Sequence, residues 1–298
     1  MGAKDLEQRK KNMSHEKSDK PSYSEKGIAA RLSKLHSGKT TYIVVEGESD
    51  MEFWNTITES EVEVLPAHGR SAVIEGVRKF PKISVGVVDD DYEQIRENNE
   101  NLNDTNLFST KEPNDIESLL FQSWMEGGED CIYLRTRGKI HRIIPIRRQV
   151  VKKAVSVSRR VGILRAVNHI EGWGLRFNSD SSFIPSWLEE FVNYKGIERV
   201  RILIEGVKRN SVQIKPSAGE IISRYEQAER EFHDFSDYSL TNGHDLSKTI
   251  QILTGGVVTS KEIEKWLRRE VKPRASFDLF KNMNAWSKKT GRPLIRVN

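Results

Sequence analysis

The chain has a single cysteine, Cys131. One thiol excludes an internal disulfide and any cysteine-rich zinc site. Long apolar runs are also missing, and nothing approaches the ~18–20 residues that span a bilayer. The first twenty residues, MGAKDLEQRKKNMSHEKSDK, contain no apolar stretch of the signal-peptide kind. A cytoplasmic protein with no membrane contact is therefore expected. Apolar residues are sparse, 36% of 298 against 31% charged, and mean hydropathy is −0.60. They are spread along the chain, so a core can still form in one large domain or two ordinary ones.

The charge that is present is segregated. The net charge of +5 and pI near 9.1 average over two opposed blocks. Residues 89–130 hold 13 acids and two bases, Arg96 and Lys111. Residues 131–170 hold 11 Arg or Lys and no acid. This separation suggests a site for cations beside a surface for an anionic polymer, with a solvated basic helix as the plainer reading. Residues 1–25 are polar and read as a disordered basic arm, either a solubilising tail or a weak nucleic-acid contact.

From residue 26 the pattern alternates. A helix is expected at 24–36, then strands at 41–46, 62–67, 83–89 and 106–110, with helices at 49–57, 71–80 and 115–125. Such alternation implies an α/β fold with a mostly parallel, Rossmann-like sheet. Past residue 130 the chain reads as mainly helical: a long basic helix at 147–167, then helices at 217–232, 245–253, 260–269 and 276–287. The segment 197–207 fits strand or helix equally. The expected division is 1–25, 26–130 and 131–298.

Two apolar strands end in acids. TYIVVEGESD places Glu46 at a strand end, then Gly47, with Asp50 four residues after Glu46. SVGVVDDDY ends in Asp89, Asp90 and Asp91, about 40 residues on. In a parallel sheet both strand ends lie on one edge, so Glu46, Asp89 and Asp91 are expected to converge there. Clustered carboxylates repel, and hard oxygen ligands of this kind suit Mg²⁺ or Mn²⁺. Asp50 has a second reading, as an acid in the first turn of a helix beside its positive end. Arg70, after His68 and Gly69 in a strand-to-helix loop, is a candidate phosphate contact; a plain surface loop is the other reading.

The pair of motifs resembles the Toprim domain of topoisomerases, primases and nucleases, over about residues 39–125. That resemblance implies a compact Rossmann-like catalytic domain, with Mg²⁺ on Asp89 and Asp91 and Glu46 as metal ligand or general acid/base. Asp50 matches an acid found in nuclease members. KEPNDIESLLF and NGHDLSKTI are similar to an OLD-like Toprim branch of bacterial anti-phage operons, whose effectors pair with an ABC-type ATPase. By that likeness Asp115 and Glu117 become further candidate ligands. Gly243, His244 and Asp245 would precede a helix whose amides could hold a phosphate.

The expectation is a Mg²⁺-dependent nuclease, acting by water attack on RNA or DNA and forming a homodimer. Arg135, Arg137, Arg142, Arg147, Arg148, Lys152, Lys153, Arg159 and Arg160 would hold the backbone of the nucleic acid. A non-catalytic binding module is the alternative, and a phosphatase or nucleotidyl-transfer enzyme a weaker third.

Overall fold

The computed structural model describes residues 26–34, 40–95, 106–135, 143–177, 184–194, 198–211 and 216–297. The arm at 1–25 lies outside them. The chain is α/β, with a four-stranded, all-parallel sheet and a mainly helical remainder.

Helix α1 (Lys26–Lys34) leads into β1 (Thr41–Val45), α2 (Glu48–Ile57), β2 (Val62–Pro66), α3 (Arg70–Lys79), β3 (Ser84–Val88), a 3₁₀ turn (Glu93–Ile95), β4 (Leu107–Ser109) and α4 (Ile116–Glu126). The spatial strand order is β2-β1-β3-β4. The two central strands, TYIVV and SVGVV, are buried throughout. They read as continuous apolar runs because both sheet faces are covered. Side chains alternate between the faces. Ile43, Val45, Val64, Val85 and Val87 meet Phe53 and Trp54 of α2. Tyr42, Val44, Leu65 and Val88 meet Ile28 and Leu32 of α1 and Val73 and Val77 of α3. Gly86 lets this second layer close, since a Cβ there would stand 2.8 Å from both Leu107 and Val73.

The chain steps from β1 outward to β2, then crosses back to β3 on the other side. The crevice between the carboxyl ends of β1 and β3 is thus the switch point at which open α/β sheets hold ligands. Glu46 and Asp89 follow directly on those two strands.

A hairpin comes next, β5 (Cys131–Arg135) paired antiparallel with β6 (Ile143–Arg147). The expected basic helix is α5 (Arg148–Glu171), 24 residues or about 36 Å long, stopped at Gly172 in a left-handed cap with φ 63°. Then follow α6 (Ser186–Asn193), α7 (Arg199–Arg209), α8 (Ala218–Glu231), α9 (Asp237–Leu240), α10 (Gly243–Leu253), α11 (Ser260–Glu270) and α12 (Asp278–Thr290). Helix α5 joins two cores. Val151, Ala154 and Val155 pack with the sheet and α2, whereas Val157, Val161 and Leu164 pack with α6, α7 and α8.

The ambiguous segment near 200 is helical. Leu203, Ile204 and Val207 fall on one buried face, and Gly206 seats the Trp187 side chain against α7. The hairpin and α6 were not foreseen; the five-residue strands show little period, whereas α6 does carry one, with Trp187, Leu188, Phe191 and Val192 on a single buried face. The C-terminal residues return to the sheet region. The Arg296 amide donates to the Ile57 carbonyl at 2.6 Å, and the Glu59 amide to the Leu294 carbonyl at 3.1 Å. Trp286 of α12 donates its indole N–H to Asn106 at 2.8 Å, so α12 shields the β4 edge.

Candidate active site: an acidic crevice at the sheet edge

Glu46 and Asp89 meet as the strand order requires. The Glu46 Oε1 accepts the Asp89 amide at 3.1 Å. Asp50 sits in the first turn of α2 and accepts the Gly47 amide at 2.8 Å, so its capping reading holds within the cluster. The Asp89 Oδ1 accepts the Ile116 amide at 3.3 Å, tying β3 to the start of α4. Asp115 caps α4 by accepting the Ser118 amide at 2.8 Å. Its other oxygen accepts the Gly243 amide, also at 2.8 Å. The D-I-E and N-G-H-D segments, 128 positions apart, therefore touch. Gly243 is required there, because a Cβ would overlap the Glu117 side chain.

These acids repel one another in a crevice only partly open to water, with Glu46, Asp50 and Asp89 half-buried and Asp115 and Glu117 buried. Burial pushes Asp89 well above the ordinary carboxylate range, and Asp50, Asp115, Glu117 and Asp91 push it further. Burial and then Asp91 raise Glu46 to about 7; the Asp89 amide and Arg70 oppose that rise. Burial with Glu117 raises Asp50 to about 6 and Asp115 to about 7. Asp90 faces elsewhere, accepting the Gln94 amide at 3.1 Å.

Backbone strain gathers at the same edge. His68, Asp91 and Tyr92 hold φ of 62°, 50° and 69°, a region that L-residues other than Asn and Asp seldom occupy. Arg70 donates to the Asp89 carbonyl at 3.1 Å. It lines a cleft of about 450 Å³ with Asp91, Tyr92, Glu93, Arg165, Asn168, His169 and Phe177.

A cationic network closes the other side. Arg268 Nε stands 3.3 Å from Glu117 Oε1 and its Nη2 lies 3.3 Å from Glu264. Glu264 in turn bonds His244 Nδ1 at 2.9 Å. That bond raises His244 to about 9 against the effect of burial.

The phosphate role expected of the 243–245 turn does not fit. The Gly243 amide is taken by Asp115 and the Asp245 amide by the Asn242 side chain. Asp245 is buried and bound bidentately by Arg165, at 2.7 and 3.1 Å.

The basic residues divide. Arg147, Lys152 and Lys153 are exposed, and Arg160 is half-buried. Arg148 bonds the carbonyls of Met125 and Glu129. Arg159 bonds the Phe232 carbonyl and pairs with Asp237 at 3.0 Å. Arg135 ends β5, while Arg137 and Arg142 lie outside the described residues.

Sequence reasoning missed Arg165, Arg268, Glu264 and Tyr92. Arg165 and the Glu117 contact of Arg268 bridge residues far apart in the chain, and Tyr92 depends on a backbone turn. The Glu264–Arg268 pair, four residues apart on one helix, was the one local signal that could have found its members.

The donor set consists of hard carboxylate oxygens, and burial makes a cation welcome. Mg²⁺ commonly takes one or two carboxylates and keeps its waters, which suits this crevice. Among the described residues, no three His, Cys, Asp or Glu side chains converge closely enough to enclose a metal by themselves. Likewise among the described residues, no helix is long and apolar enough to cross a membrane. No family model matches the chain, and no curated protein or solved structure proves significantly similar to it.

Proposed function

We propose that the chain is a Mg²⁺- or Mn²⁺-dependent nuclease of the Toprim type that hydrolyses nucleic-acid phosphodiesters. The observation that carries this reading is the Glu46–Asp89 contact at the switch-point crevice, ringed by acids that repel one another. Asp89 and Asp91, with Glu46 and Asp50, would hold the cation. Glu117 is the weakest of the candidate ligands because Arg268 already partners it. When bound, the cation would polarise the phosphodiester and stabilise charge on the leaving oxygen.

Glu46, near 7, populates both protonation states at neutral pH, which suits a group that takes a proton from water and returns it. Arg70, fixed by main-chain carbonyls at the same edge, can meet a phosphate oxygen. The tyrosine at this edge, Tyr92, is buried with its hydroxyl, so water is the nucleophile in this reading.

By resemblance, the setting is cytoplasmic anti-phage defence, in the branch that includes the AriB effector of the PARIS system. The substrate would be RNA such as tRNA, the enzyme a homodimer, and an ABC-type ATPase its restraint.

A second reading, a non-catalytic nucleic-acid-binding or partner-docking module, draws on the Arg268–Glu117 pair and on the absence of a three-carboxylate cage among the described residues. The two separate on cleavage of total tRNA, single-stranded RNA and plasmid DNA with Mg²⁺, Mn²⁺ or EDTA. Metal-dependent cleavage that disappears in Glu46→Ala supports the nuclease; activity or cell toxicity that survives the substitution removes it.

A further inference from the structure

The two most exposed large apolar side chains among the described residues are Tyr133, 60% accessible, and Ile143, 62%. Both belong to the β5–β6 hairpin, and they occupy the same face. Tyr133 pairs with Pro145 and Ile143 with Arg135 in register, while Ile132 and Ile146 point inward and are buried. Cys131 pairs with the exposed Arg147 on that outward face. The hairpin forms one wall of a groove of about 860 Å³, and α11 forms the other with Lys261, Lys265, Trp266 and Arg269.

Lys261, Lys265 and Arg269 follow one another at intervals of four, so they form a ridge with steps of about 6 Å along the helix. That is the order of the phosphate step in an extended single strand. Neither Lys261 nor Lys265 has an ion-pair partner among the described residues. Two acids also line the groove: Glu262 is turned into the helix cap, accepting from Thr259 at 2.9 Å, and Glu270 stands at the last position of α11, beyond the two lysines. Helix α11 also leads to the acidic crevice: Arg269 bonds Glu52 at 2.6 Å, and Arg268 reaches Glu117 from the face turned away from the groove.

We infer that this groove docks single-stranded nucleic acid, with a base stacked on Tyr133 and the backbone running along Lys261 and Lys265. Stacking on an open aromatic ring requires an unpaired base, which a duplex does not offer. The helix along which the strand is laid also carries Arg268, whose guanidinium reaches Glu117 beside the acidic edge. The inference rests on the nuclease reading for its purpose but not for its test.

The test is binding by the full chain carrying Glu46→Gln, in EDTA, followed by fluorescence anisotropy. The probes are a labelled oligouridylate and a duplex of the same length. Single strand is expected to bind at least about ten-fold tighter than duplex. Tyr133→Ala should weaken it about ten-fold or more, the effect of losing one stacked base, while Tyr133→Phe keeps it. Lys261→Gln with Lys265→Gln should flatten the salt slope by about 1.4, at roughly 0.7 per contact. Equal binding of both probes, no binding of either, or unchanged binding by Tyr133→Ala overturns the inference. So does a Tyr133→Ala effect confined to self-association or to capture of a protein partner. The two readings fail separately. A parent protein that binds single strands but cuts nothing refutes the nuclease, whereas Glu46-dependent cutting with unchanged Tyr133→Ala binding refutes only the groove.

Discussion

The acidic sheet edge and the basic helix α5 differ more in burial than in sign. At the edge, Glu46, Asp50 and Asp89 are half-buried and Asp115 is buried, and desolvation with mutual repulsion holds their carboxyls above the ordinary range. Along α5, Lys152 and Lys153 are exposed, and Arg159 and Arg165 are committed to Asp237 and Asp245. Low dielectric strengthens every charge interaction, whereas water and salt weaken those on the surface. The edge is therefore equipped for chemistry, and the exposed part of α5 for attraction that salt can tune.

The largest effect belongs to the edge. Glu46→Gln should lower metal-dependent cleavage about 10²–10⁴-fold, the usual share of a general acid or base. The same change removes a repelling charge from a crowded site, so the melting temperature at pH 8 should hold or rise. A fall in melting temperature alongside lost activity would mark Glu46 as a structural group instead.

Next comes the buried ion pair at the far end of α5. Arg165→Ala leaves Asp245, 2% accessible, without its guanidinium, and breaking such a pair costs about 3–5 kcal/mol. Urea unfolding should show that loss. A change below about 1 kcal/mol would place Arg165 with the surface cations and blur the distinction between the buried and exposed charges.

The pH dependence of the metal-free chain sharpens the contrast. Glu46 is held at about 7 instead of 4.5, and Asp115 at about 7 instead of 3.8. Between those values the folded state keeps protons that the unfolded state has released, so stability falls as pH rises. The melting temperature in EDTA should therefore drop between about pH 4 and 7, and Mg²⁺ should remove most of the drop by replacing the protons. His244 acts with the same sign in a higher window. Raised from 6.5 to about 9, it contributes stability that is complete below 6.5 and is lost as pH passes 9. A melting temperature flat from pH 4 to 10 contradicts both.

The smallest effect lies on the exposed side. Lys152→Gln with Lys153→Gln should leave melting unchanged and reduce the salt slope of nucleic-acid binding by at most about 1.4. An unchanged slope would show that nucleic acid does not approach this part of α5.

Much of this was readable from local pattern. Apolar strands ending in Glu46 and Asp89, with helices between, were enough to expect a parallel sheet with acids gathered on one edge. A strand's period and the order of its neighbours are properties of short segments. The same holds for Asp115 and Asp50, whose capping geometry is set within three or four residues. The hairpin carrying Tyr133 left no such trace, because five-residue strands in a basic stretch do not reveal a period.

The sequence by itself determined the alternation of strands and helices, the sheet-edge position of the acids and the separation of charge into blocks. Tertiary structure alone decided that Gly243 seals against Asp115, that Arg268 takes Glu117, that Arg165 is spent on Asp245, and that Tyr133 faces a basic ridge. The reason is physical. Elements form from interactions between near neighbours along the chain. The burial that shifts a carboxylate, and the partner that neutralises a guanidinium, come from residues 80 to 151 positions away that only packing brings into contact.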